Sequence, residues 1–152
     1  MAEDATTRDD ANELLNAAVN YARRMLRKYG EFGPFGFSLN AQREIVNETV
    51  PRKDMPPDPS LLLELLHDQL VERSGKKEII AAAIAANVTM SKASAEGFSD
   101  ALLVEIEHQS GYCIKAFVPY RMGGGQLFGL LPRYIRFGAV QVQNGVARLF
   151  AH

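Results

Sequence analysis

The stretch Leu102-Leu103-Val104-Glu105-Ile106-Glu107-His108-Gln109-Ser110-Gly111-Tyr112-Cys113-Ile114-Lys115-Ala116-Phe117-Val118 decides the fold. Apolar and polar residues alternate on both sides of Gln109-Ser110-Gly111, which is the period of a half-buried strand. Leu102, Val104, Ile106 and His108 fall on one face; Leu103, Glu105 and Glu107 fall on the other. A three-residue loop with Gly111 in the left-handed position carries the first face on through Tyr112, Ile114, Ala116 and Val118. Cys113, Lys115 and Phe117 then continue the second face. That register sets Glu105 opposite Lys115 as a cross-strand ion pair. A two-residue loop would set Ile106 against Lys115 and mix the faces. The segment is therefore a β-hairpin.

Upstream, Ile79 to Met90 reads as a buried central strand of small residues, with a helix as the alternative because alanine favours helices. Before it, Asp58 as N-cap and Pro59 at the first helical position open a helix that Gly75 closes. Its apolar residues are Leu61, Leu62, Leu65, Leu66, Leu70 and Val71. The first helix starts near Thr7 to Asp10, two residues at capping-box spacing, and ends at Gly30. Leu14, Ala18, Ala22, Met25 and Tyr29 recur along it, widened by Leu15, Val19 and Leu26. Between the helices, Phe35, Phe37 and Leu39 alternate with Gly36 and Ser38 as a strand. Asn40-Ala41-Gln42-Arg43 turns into a second strand, about Glu44 to Thr49. Residues 50–58 form a Pro-rich loop.

Downstream, Ser91 to Ser99 is a polar loop, and Pro119 ends the hairpin's second strand. Gly123-Gly124-Gly125 lies in a flexible tip, and Leu127 to Leu131 is a further strand. Asn144-Gly145, between Val140-Gln141-Val142-Gln143 and Val146 to Phe150, is the signature of a type I′ hairpin turn. The expected architecture is one α+β domain over residues 1–152, with residues 1–6 as a frayed tail. It has a mostly antiparallel sheet of about five to seven strands and two helices packed on one face.

Composition narrows the function classes. The 152 residues suit one domain, and hydrophobic residues at 47 % with charged residues at 23 % are ordinary for a globular chain. Seventeen Lys and Arg against eighteen Asp and Glu leave a net charge of −1, which argues against nucleic acid as a partner. No apolar run is long enough to span a membrane. The polar, acidic start at Met1 to Asp10 is unlike a secretory signal, and the expected compartment is a reducing cytoplasm. One cysteine, Cys113, excludes an internal disulfide framework.

Each candidate chemistry meets a simpler reading. Glu105 and Glu107 share a strand face and suit acid–base work only if burial separates their pKa values. Otherwise they form a solvated face with a Glu105–Lys115 pair. His67, His108 and His152 lack metal-ligand spacing, so no metal or cofactor is expected. Cys113 is a nucleophile only in an electropositive setting, and a cysteine on a strand is usually a small packed residue. The three glycines lack the Lys-Ser/Thr of a phosphate loop. Phe32, Phe35 and Phe37, set among Gly and Pro, line a pocket or fill the core, and core suits their alternation better.

The segments Tyr-Gly-Glu-Phe-Gly-Pro-Phe-Gly from Tyr29, Ser-Asp-Ala-Leu-Leu-Val-Glu-Ile-Glu-His from Ser99 and Val-Pro-Tyr-Arg from Val118 carry a likeness. The chain resembles small uncharacterised bacterial α+β proteins over most of its length. The resemblance implies the fold and transfers no activity and no functional residue. The leading expectation is a non-catalytic protein-interaction module, adaptor- or immunity-like, that includes self-association as a homodimer. Short strands with open edges motivate it. The alternative is a small-molecule-binding protein or weak hydrolase with its pocket between sheet and helices. Candidate binding residues are Phe32, Phe35, Phe37, Glu105, Glu107, Tyr120 and Arg121.

Overall fold

The computed structural model describes residues 5–51, 53, 55–90, 97, 98, 100–125 and 130–150. Its elements are α1 (Ala5–Tyr29), β1 (Phe35–Asn40), β2 (Ile45–Glu48), α2 (Pro59–Gly75), β3 (Ile79–Thr89), β4 (Asp100–His108), β5 (Cys113–Gly123), β6 (Tyr134–Phe137) and β7 (Gln141–Asn144). Every strand pair is antiparallel. The sheet runs β2-β1-β3-β4-β5-β6, and β7 adds to β5 in line with β6. The α+β class and the seven-stranded antiparallel sheet match the sequence expectation.

The deciding hairpin forms in the expected register, with Glu105 opposite Lys115 and Ile106 opposite Ile114. Gly111 adopts φ 98°, and His108 N–H donates to the Tyr112 carbonyl at 2.9 Å. Ile79 to Thr89 is a strand, paired on one side with β1 and on the other with β4. Strand wins over helix because both its faces are covered, and such a strand reads as an apolar run.

The coverage comes from opposite sides, where the sequence reading put both helices on one face. Ala81, Ala83 and Ala85 of β3 cluster with Ala11, Leu14, Ala18 and Ala22 of α1. Ala82 and Ile84 cluster instead with Leu70 of α2 and Leu149. Alternate residues of one strand thus meet different helices, giving the sheet an α1 face and an α2 face. On α2 only Leu66 and Leu70 of the predicted apolar set are buried, while Leu61, Leu65 and Val71 are exposed.

Four local readings are corrected. Thr7 and Asp10 do not cap α1: they lie inside it and are buried. Pro119 does not end β5. Gly138 N–H donates to the Pro119 carbonyl at 2.8 Å, so the missing Pro N–H also faces outward, where β5 changes partner from β7 to β6. The glycines after Met122 form a close-packed turn: a Cβ on Gly123 would lie 2.2 Å from the Tyr134 ring, and one on Gly124 2.1 Å from the Pro132 carbonyl. The Asn144-Gly145 hairpin does not form. β7 pairs with β5, and the chain after Gly145 crosses to the α2 face. Strand β6, Tyr134–Phe137, was not expected. The loop read at Ser91 to Ser99 and the strand read at Leu127 to Leu131 lie mostly outside the described residues; Leu130 and Leu131 stand in a turn.

Candidate functional site

Three buried carboxylates tie the layers together, and each is fully occupied. Asp10 of α1 pairs through Oδ1 with Arg43 and through Oδ2 with His108 Nε2 at 3.0 Å. Glu48 of β2 accepts from Ser38 Oγ at 2.7 Å, from Gln69 Nε2 at 3.2 Å and from Arg73. Glu107 of β4 accepts from the backbone N–H groups of Arg148, Leu149 and Phe150 at 2.9–3.2 Å. The first fastens α1 to the β4–β5 hairpin, the second fastens α2 to β1 and β2, and the third seats the C-terminal segment. No buried side-chain polar atom lacks a partner among the described residues.

These engagements bear on every catalytic candidate. Asp10, His108 and Ser110 bring together the residue types of a nucleophilic triad in the wrong arrangement. His108 Nδ1 accepts from the Ser110 backbone N–H at 3.0 Å, so Nε2 carries the proton and donates to Asp10. No ring nitrogen is left to activate a hydroxyl. Cys113 lies on the α2 face, while His108 lies on the α1 face. Burial, followed by Glu107 and Glu105, pushes the Cys113 thiol up to about 11, far from a reactive thiolate. Glu105 bonds Arg148 at 2.8 Å and faces Lys115 at 3.9 Å. Among the described residues, no three His, Cys, Asp or Glu side chains converge as a metal site requires.

The sheet separates the sequence-predicted candidates. Phe35 and Phe37 are buried on the α1 face, where Tyr21 packs against both at ring distances of 4.4 and 5.8 Å. Phe32 and Tyr120 extend the same aromatic cluster, 6.2 Å apart. Glu105 and Glu107 project from the α2 face. One pocket shared by the phenylalanines and the glutamates is therefore excluded by the pleat. Phe32, Tyr120 and Arg121 do border a cavity of about 500 Å³ at the C-terminal end of α1. Two of its polar side chains are engaged: Tyr120 Oη donates to Asn87 Oδ1 at 2.6 Å, and the Arg121 guanidinium lies 5.3 Å from the Phe98 ring centre. Burial, aided by Asp100, raises the Tyr120 hydroxyl to about 12.

A second cavity, of about 400 Å³, opens between α2 and the sheet. Its floor is Ile84 and Ala86 of β3 with Leu103 of β4; Leu63 closes the helix side. Glu64, His67 and Asp68 of α2 line one wall, and Glu105 with Arg148 the other. The groove exists because α2 covers β1 and β3 while the C-terminal segment crosses near Glu107, leaving the sheet between them uncovered. Burial, followed by Arg148, lowers the His67 pKa, so the imidazole is neutral at pH 7. Glu105 and Arg148 neutralise each other, while Glu64 and Asp68 form no ion pair with a described residue. An apolar floor with a net negative wall suits an organic cation with an apolar body.

Of these lining residues, the sequence reading singled out only Glu105. His67 was weighed alone, beside a leucine face. The missed signal was β3 itself, whose unbroken apolar run requires cover on both faces and hence a second interlayer space. No protein-family model, characterised protein or solved structure matches the chain. Among the described residues no helix is long and apolar enough to cross a membrane.

Proposed function

We propose that the chain is a non-catalytic binding domain that takes a small organic cation in the groove between α2 and the sheet. The observation that carries the reading is the groove's composition: an apolar floor of ligand size beside two carboxylates, Glu64 and Asp68, that form no ion pair with a described residue. Phenethylamine and its acid counterpart phenylacetate make the test. Phenethylamine is expected to shift the NMR signals of Ile84, Ala86 and Leu103 in a saturable way, and phenylacetate is not. Ala86→Leu, which fills the floor, and the double substitution Glu64→Gln with Asp68→Asn should each weaken phenethylamine binding at least about tenfold. Equal response to both compounds, or binding untouched by Ala86→Leu, would remove the groove from the function.

A second reading, the protein-interaction module expected from the sequence, is favoured by a different feature. The outer edge of β7 pairs with no described strand, and all four of its residues are exposed.

A further inference from the structure

His67 stands in the groove for a helical reason. It lies four positions after Leu63, which closes the helix side, and three before Leu70, which is buried against Ile79 and Ala82. That spacing puts its half-buried ring on the groove wall. Glu64, one turn earlier, and Asp68, the next residue, border the same groove. The His67 ring makes no hydrogen bond with a described residue.

The charges that face His67 from the other elements are already committed. Glu105 of β4 bonds Arg148 of the C-terminal segment at 2.8 Å. Glu107 of β4 is occupied by the backbone N–H groups of Arg148, Leu149 and Phe150. β3 gives the groove only Ile84, Ala85 and Ala86, none of which titrates. Glu64 and Asp68 are therefore the carboxylates left to meet a cation. Among the described lining residues, His67 is the one that can gain a positive charge between about pH 5 and pH 8.

We propose that His67 decides which charge the groove accepts: neutral it admits an ammonium group, protonated it excludes one, so an amine is held at neutral pH and released on mild acidification. This rests on the amine-binding reading of the groove. An imidazolium and an ammonium compete for the same two carboxylates and repel each other beside an apolar floor. Burial and Arg148 outweigh Glu105, Glu107 and Asp68 and disfavour the charged ring, so the groove is open to the amine at pH 7. Affinity then falls as pH falls through that lowered value. The amine keeps its own charge throughout, since an alkylammonium titrates, like lysine, at about pH 10. Linkage adds a reciprocal demand: the bound amine must lower the His67 pKa by the logarithm of the factor by which the imidazolium weakens binding.

Phenethylamine titrations of the full chain at about pH 5 and about pH 7.5 test the proposal, with the His67 ring NMR signals followed between them. Wild type should bind at least about threefold more weakly at the lower pH. His67→Gln, uncharged throughout, should lose most of that ratio. His67→Lys, charged throughout, should bind weakly at both pH values. The wild-type ring should titrate at lower pH with phenethylamine than without it, a readout that needs no variant and decides the matter even where a substitution disturbs α2. Equal wild-type affinity at both pH values, a His67→Gln ratio as large as wild type, or a ring titration unmoved by the amine would each overturn the proposal and leave amine binding in place. Absence of phenethylamine binding at pH 7.5 would overturn the groove reading and this inference together.

Discussion

The carboxyl of Glu48 is buried, and burial alone would raise its pKa. Hydrogen bonds from Arg73, Ser38 and Gln69, with the charge of Arg73, outweigh burial and hold it below the ordinary glutamate range. A carboxylate held below its unfolded pKa stabilises the fold above about pH 4.3. That contribution is lost as pH falls through the lowered folded value. Glu48→Gln should cost about 1–3 kcal/mol at pH 7, because Arg73 loses its charged partner. The same variant should lose less further stability than wild type between neutral and acid pH. Urea unfolding at both pH values measures the difference, and parallel losses in the two proteins would count against the assignment. Asp10 teaches a related lesson about residues. It sits four positions before Leu14, on the buried stripe of α1, and an acid on an apolar stripe signals a distant partner. The partner itself was illegible, since His108 lies 98 positions away.

At the scale of elements, the C-terminal segment behaves as a latch. Glu107 receives three successive backbone N–H groups, Ser74 Oγ donates to the Leu149 carbonyl at 2.5 Å, and Leu149 is 2 % exposed against Ile79 and Ala82. Glu107→Gln turns a charged acceptor into a neutral amide and should cost about 1–3 kcal/mol. Hydrogen exchange should accelerate first at the amides of Leu149 and Phe150, before β4 itself responds. Uniform acceleration across the sheet would show that the segment is no separate unit. This latch is also why the Asn144-Gly145 reading failed. The turn signature was genuine in local terms, but a buried glutamate and an apolar slot on the α2 face compete for residues 148–150 and prevail. The β4–β5 hairpin was legible for the opposite reason: its register, loop and face alternation are all local, and they agree. Strand β6 has only four residues and leans on β5, so nothing in its own sequence announced it.

Across the whole molecule, the two faces of the sheet are packed to different ends. On the α1 face, Ala11, Ala18 and Ala22 share a cluster with Ala81, Ala83, Ala85 and Ala116. Small side chains on both layers bring the helix close to the strands, and interiors packed in this way tolerate little added volume. Ala83→Leu adds bulk where 1 % of the residue is exposed, and should cost at least about 1–3 kcal/mol. On the α2 face, Ala86 borders the groove, so Ala86→Leu enters open space and should change stability by no more than about 0.5 kcal/mol. Two identical substitutions on one strand, three residues apart, thus separate packing from binding. Urea midpoints compared at constant slope give the measurement. Ala83→Leu should unfold early, with its groove response intact while it stays folded. Ala86→Leu should unfold with wild type and no longer answer to phenethylamine. The reverse pattern would mean that the groove face carries the stability and the α1 face has room to spare, which its buried alanines argue against.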